Sequence, residues 1–135
     1  MDSRSNYLKG IRPELKQSLL HDDMSSDERF QNQTLRPIIK LQNPLFLEVF
    51  KNYIRKHKSA FYELTLEKRM EYIENSIQKD IKFRNSLKGM VIGQFAVEEY
   101  QIYIQNSSAL NKRMMNIVVE RLKDQVQLLE AEVLV

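Results

Sequence analysis

The chain has 135 residues, enough for about one domain, and its 42% hydrophobic content separates it from disordered chains. With no Cys it cannot be a disulfide scaffold, a Cys-ligated zinc or iron–sulfur protein or a thiol enzyme, and with 3 Gly and 3 Pro it is too poor in turn formers for a β-barrel. Its 21 Lys and Arg against 18 Asp and Glu leave a net charge of +3, weaker than the wide basic field of most nucleic-acid binders.

Residues 1–24 read as a loosely ordered N-terminal arm. They hold little periodicity, and Met1-Asp2-Ser3-Arg4-Ser5-Asn6 is not followed by the apolar run of a signal peptide. Tyr7, Leu8, Ile11, Leu15, Leu19 and Leu20 are available to anchor the arm, with a short helix expected after Pro13. The body, residues 25–135, reads as a single domain. Ser25 followed three residues later by Glu28 is a capping box, and Phe30, Thr34, Ile38, Leu41 and Leu45 continue at helical spacing. Pro37 is expected to interrupt that helix or to start a new turn, because proline cannot donate the bond to residue i−4, and Asn43-Pro44 to be a further boundary, with Asn as cap and Pro at the first helical position.

Residues 45–57 form an amphipathic pattern. Phe46, Val49, Phe50, Tyr53, Ile54 and His57 share one side, while Glu48, Lys51, Asn52, Arg55 and Lys58 share the other. Thr65 caps the next helix, whose stripe of Leu66, Met70, Ile73, Ile77 and Ile81 lasts to Leu87 and ends at Lys88-Gly89. That stripe predicts one rod roughly 34 Å long. Tyr100-Gln101-Ile102-Tyr103-Ile104 is strand-like in composition, but no second strand exists to pair with it, so residues 94–105 are expected to be a short helix buried on most sides. A last helix spans about 109–131 with a broad apolar stripe through Leu110, Met114, Ile117, Val118, Leu122, Leu128 and Leu129. The expected fold is all-α: an antiparallel bundle of four main helices plus a short fifth.

Few residues carry a chemical signature. The chain has two histidines, His21 and His57, and lacks Glu-x-x-His, His-Glu-x-x-His, P-loop and dinucleotide motifs, so no metal or cofactor is expected. His57 reads as a core or boundary residue. The glycine pair Gly89 and Gly93 encloses apolar residues and reads as helix termination and close packing. More informative are polar residues inside apolar stripes: Asp80 and Arg84, four apart on one helix; Glu99, between Phe95 and Tyr103; and Arg121, with Asn111 and Gln125 in the same arc. Buried charges need partners, so Asp80, Arg84, Glu99 and Arg121 are expected to converge, either as a structural lock or as a ligand pocket. In the pocket reading an arginine fixes an anion and Glu99 serves as acid or base. Residues 36–64 carry six Lys and Arg against two Asp and Glu. Lys51, Arg55, Lys56 and Lys58 are the candidate phosphate contacts, although a solvated helix face is the simpler reading.

The stretch from Leu41-Gln42-Asn43-Pro44 through Lys79-Asp80-Ile81-Lys82-Phe83-Arg84-Asn85-Ser86-Leu87-Lys88-Gly89 to Asn111-Lys112-Arg113-Met114-Met115-Asn116 resembles a family of short, uncharacterised bacterial proteins, some carrying a "glyoxalase" label. The resemblance covers about 40–135. Glyoxalase I enzymes have paired βαβββ modules and bind a metal through His and Glu on strands. Neither is present, so the label implies no activity and no site residue here. The expectation is a cytoplasmic, non-catalytic interaction or scaffold protein, homo-oligomeric through its last helix and the tail Val133-Leu134-Val135, with an unidentified protein partner and no membrane span. A small-molecule binder or enzyme using the four interior polar residues is the alternative, and a nucleic-acid binder through residues 51–58 the third.

Overall fold

In a computed structural model of the chain, residues 2–14, 20–57 and 60–130 are described. Their regular structure is all helical, with no strand among them: α1 (Ser3–Gly10), α2 (Ser26–Phe30), α3 (Arg36–Lys56), α4 (Leu66–Lys79), α5 (Ile81–Ile92), α6 (Val97–Tyr103) and α7 (Ser107–Asp124). The all-α expectation therefore holds. Leu15, Leu19, Lys58 and Val133-Leu134-Val135 lie outside the described residues.

Local chemistry explains most of the boundaries. The Ser25 hydroxyl accepts from the backbone N–H of Glu28 at 3.1 Å, and Thr65 accepts from Lys68 at 3.3 Å, so both predicted caps form. Between α2 and α3 lies one wide turn of π-helix, Gln31–Leu35. It ends just before Pro37, which sits in the first turn of α3, where its missing N–H costs least. Widening the preceding turn lets the chain pass this proline as one helical path instead of breaking. Pro44 does not end a helix either, since α3 continues to Lys56. Pro44 and Lys40 are both exposed, so water can satisfy the carbonyl that the proline leaves without a donor.

The long rod expected over 66–87 is two helices. Asp80 takes an extended conformation (φ −88°, ψ 97°), and its Oδ1 accepts from the Phe83 N–H at 3.1 Å, capping α5. Asp80 competes for backbone donors, and at this point it starts a new helix rather than continuing the old one. Two residues of the predicted stripe, Leu66 at the start of α4 and Ile81 at the start of α5, are exposed. α5 then runs through Gly89 to Ile92. The close approach falls at Gly93, where a Cβ would meet the Gly89 carbonyl oxygen at 3.0 Å. Replacing Asp80 with alanine is expected to speed amide exchange at Phe83 and lower the melting temperature. Unchanged exchange at that amide would show that the cap is dispensable.

α7 lies at the centre, packed against α3, α4, α5 and the π turn. Its Leu110, Met114, Met115, Val118, Val119 and Leu122 are buried with Phe46, Phe50 and Ile54 of α3, Ile73 and Ile77 of α4, and Leu87 and Val91 of α5. Side-chain pairs give the directions. Asn106 with Asp27 (2.7 Å), Arg113 with Gln31 (2.9 Å) and Gln125 with Asn43 (2.8 Å, reciprocal) advance together, so α7 runs parallel to the α2–α3 path. Lys123 bonds Glu74 at 2.9 Å while Arg69 pairs with Glu130, so α7 is antiparallel to α4. Tyr53 with Asp80 and Gln42 with the Met90 carbonyl, both at 2.9 Å, set α3 against α5 in opposite directions. The arrangement thus departs from a simple up-and-down bundle at its central pair.

Candidate functional site

The four polar residues flagged within apolar stripes do not converge. Each lines a different cleft. Asp80 faces a cleft of about 400 Å³ with Tyr53, Lys56, His57 and Phe83. Its Oδ2 accepts from the Tyr53 hydroxyl at 2.9 Å and lies 3.9 Å from His57 Nε2. The Phe83 N–H, the Tyr53 hydroxyl and the nearby imidazole hold the Asp80 carboxyl below its ordinary pKa. Burial, together with that carboxylate, pushes Tyr53 up to about 12. His57 stacks on Tyr53 at 4.0 Å between centroids, and Tyr53 stacks on Phe83 at 4.0 Å. His57 is itself exposed rather than a core residue, with Nδ1 2.9 Å from the Tyr53 carbonyl oxygen.

Glu99 finds its partner where sequence spacing gave no hint. Arg12, just after α1 within the supposedly loose arm, grips its carboxylate through two bonds of 2.8 and 2.7 Å. Thr34 of the π turn donates a third bond (3.1 Å), and the Ala96 N–H a fourth (2.7 Å). Ala96 has no hydroxyl to complete a capping box, so only the carboxylate half of that motif exists at the start of α6. Glu99 is 6% exposed, and its pKa is lowered. Burial acts upward, but Arg12, the Ala96 N–H and Thr34 outweigh it. The geometry is that of a lock rather than an acid–base catalyst, because every strong acceptor direction is already occupied.

Within the arm, Ser3–Gly10 is correspondingly a helix docked on the body rather than a loose segment. Arg4 donates to the carbonyls of Phe95 (2.9 Å) and Gly93 (2.7 Å), Lys9 pairs with Glu98 at 2.6 Å, and the Ser5 hydroxyl accepts from the Val97 N–H at 3.1 Å. Ser5 is the one buried residue of α1. Docking is therefore almost wholly polar, which is why apolar periodicity did not reveal it. The other flagged polar residues are also internally satisfied: Asn111 accepts from the Tyr103 hydroxyl at 2.6 Å, and Gln125 exchanges two bonds with Asn43.

Arg121 lines a polar groove of about 600 Å³ between the π turn and α7 with Arg36, Arg113, Glu120 and Asp124. Arg84 lies in yet another cleft, between α4, α5 and α7. On the basic face, Lys51 is paired with Glu48 at 3.2 Å, Arg55 and Lys56 are exposed, and Lys58 is outside the described residues. Among the described residues no group of three or more His, Cys, Asp or Glu side chains is arranged to hold a metal ion, and no helix is long and apolar enough to cross a membrane.

The most open apolar feature is at the α1–α6 end. α6 is the predicted short helix, but only Glu99 and Tyr103 are buried. Val97, Tyr100, Ile102 and Ile104 are each about half exposed, and Tyr7 and Ile11 of the arm are exposed too. Together they are six of the ten large apolar side chains exposed among the described residues. Beside them opens a cleft of about 700 Å³ with Phe30, Pro37 and Ile102 in its wall and Lys9, Arg29 and Glu98 among its polar lining. Of the predicted stripe of the last helix, by contrast, Leu110, Met114, Val118, Leu122 and Leu129 are buried, Ile117 is partly buried and Leu128 is half exposed. The chain matches no protein-family model, no curated protein and no solved structure.

Proposed function

We propose that the protein is a non-catalytic interaction module that docks a polypeptide partner on its α1–α6 end. The observation that supports this reading is the concentration of exposed apolar side chains there. Solvated apolar side chains scatter singly over most monomers, whereas a clustered set beside an apolar cleft with a charged rim has the composition of a contact surface. The partner this chemistry fits offers an apolar anchor for the cleft and complements the rim formed by Lys9, Arg29 and Glu98. A second copy of the chain and a different protein both satisfy that description.

A photo-crosslinking amino acid at Tyr100 tests it, with the same group at exposed Glu71 of α4 as control. Expressed in its own host, the Tyr100 derivative is expected to give a discrete adduct, either a dimer or one heterologous band. Val97→Asp with Ile104→Asp is expected to weaken that contact about tenfold or more, the equivalent of roughly 1.4 kcal/mol. Adducts from Tyr100 no different from those at Glu71, with a monomer in sedimentation, would discard the reading.

A further inference from the structure

The failure of Asp80 to pair with Arg84 leaves an arginine to be accounted for. Four-residue spacing puts two side chains together only on a continuous helix. Asp80 instead sits in the break before α5, with its oxygens taken by the Phe83 N–H and the Tyr53 hydroxyl. The Arg84 side chain is half-buried and has no hydrogen bond or ion pair among the described residues. It lines a cleft of about 430 Å³ between α4, α5 and α7, within the size range of small-ligand sites. Lys112 of α7 lines the same cleft and likewise has no ion pair among the described residues. Ser108, Gln78 and Asn116 add neutral polar groups, and no carboxylate is in the lining.

Two cations, a hydroxyl and two amides from three helices therefore surround one space without an acid to neutralise them. The Arg84 guanidinium has no protein acceptor among the described residues and is open to solvent, so an oxyanion can replace water there with charge-assisted bonds. A carboxylate has two oxygens lying in a plane. A phosphate presents its oxygens in several directions and so can accept from donors that approach from separate helices. We infer that this cleft binds a phosphate group, free or carried by a small phosphate monoester, with Arg84 and Lys112 as its principal contacts.

The probes are inorganic phosphate, glycerol phosphate and acetate, each titrated at constant ionic strength while the Ser108 amide and Arg84 Nε–H are followed by NMR. Saturable shifts with both phosphates are expected, tighter for the monoester if a phosphorylated molecule is the natural ligand. Arg84→Gln and the exposed-site variant Lys112→Gln should each weaken binding about tenfold or more, and Arg55→Gln on the far basic face should not. Shifts that never saturate, an affinity indifferent to both Arg84→Gln and Lys112→Gln, or acetate binding as well as phosphate would overturn the assignment.

Discussion

Replacing Glu99 with glutamine is expected to destabilise the protein by about 3–5 kcal/mol, the usual cost of removing one partner from a buried ion pair. The shape is kept, but the Arg12 guanidinium stays behind in a nearly closed site, its side chain 8% exposed. Pairing Glu99→Gln with Arg12→Gln should recover much of the loss, because the lone buried charge is then gone, and a double-mutant cycle should show strong coupling. The pH dependence has a definite sign. The pKa of Glu99 is lowered in the folded state, burial opposing and Arg12, the Ala96 N–H and Thr34 prevailing. Its stabilising contribution is therefore complete above the ordinary glutamate range and disappears as pH falls through the lower, folded-state value. Urea denaturation at neutral pH and again below that value measures both effects. The gap between wild type and variant should narrow in acid. A loss below about 1 kcal/mol at neutral pH would mean that Arg12 finds another acceptor.

Phe50→Ala should cost a similar amount, about 3–5 kcal/mol, by a different route. Phe50 is fully buried in α3, with ring centroids 6.2 Å from Tyr72 of α4 and 5.9 Å from Phe83 of α5. It is the ring through which three helices meet on that side of the core. Truncation leaves a void bounded by stiff aromatic neighbours that cannot collapse into it, so the cavity term adds to the lost transfer energy. Calorimetry should register a drop of roughly 10–20 °C in melting temperature for a chain of this size. Phe50→Leu, which refills part of the volume, should fall well short of that. Equal losses for leucine and alanine would point to the ring contacts rather than the volume.

How far these features were legible in the sequence depends on the range of the interaction behind each. The caps at Ser25 and Thr65 act over three residues and were readable. So was the core face of α7, whose Leu110, Met114, Val118 and Leu122 carry the helical period in full. The break at Asp80 was hidden because an aspartate in an otherwise continuous stripe reads as a mid-helix polar residue until the Tyr53 hydroxyl, 27 positions away, is brought to it. Glu99 was correctly singled out as needing a partner, but that partner is 87 positions away, just beyond a helix with no apolar stripe to announce that it docks. Arg84 and Lys112, like the apolar end made by α1 and α6, are assembled from separate elements. No local pattern encodes such a juxtaposition; it exists only once the helices are packed.

The parallel pairing of α7 with the α2–α3 path has a kinetic consequence. Helical proteins fold fast when each helix packs against its neighbour in sequence, since little chain must be closed to make each contact. Here the central pair is joined through Asn43 and Gln125, 82 positions apart. Bringing such ends together costs about 4 kcal/mol on the logarithmic scaling of loop entropy, before that contact returns anything. The α4–α5 pair closes over a single residue and can form early. The α3–α7 contact must wait for the chain between them to be largely in place. Refolding is therefore expected to be slower than for helical bundles built from sequential neighbours, with α7 the last element to acquire protection from exchange.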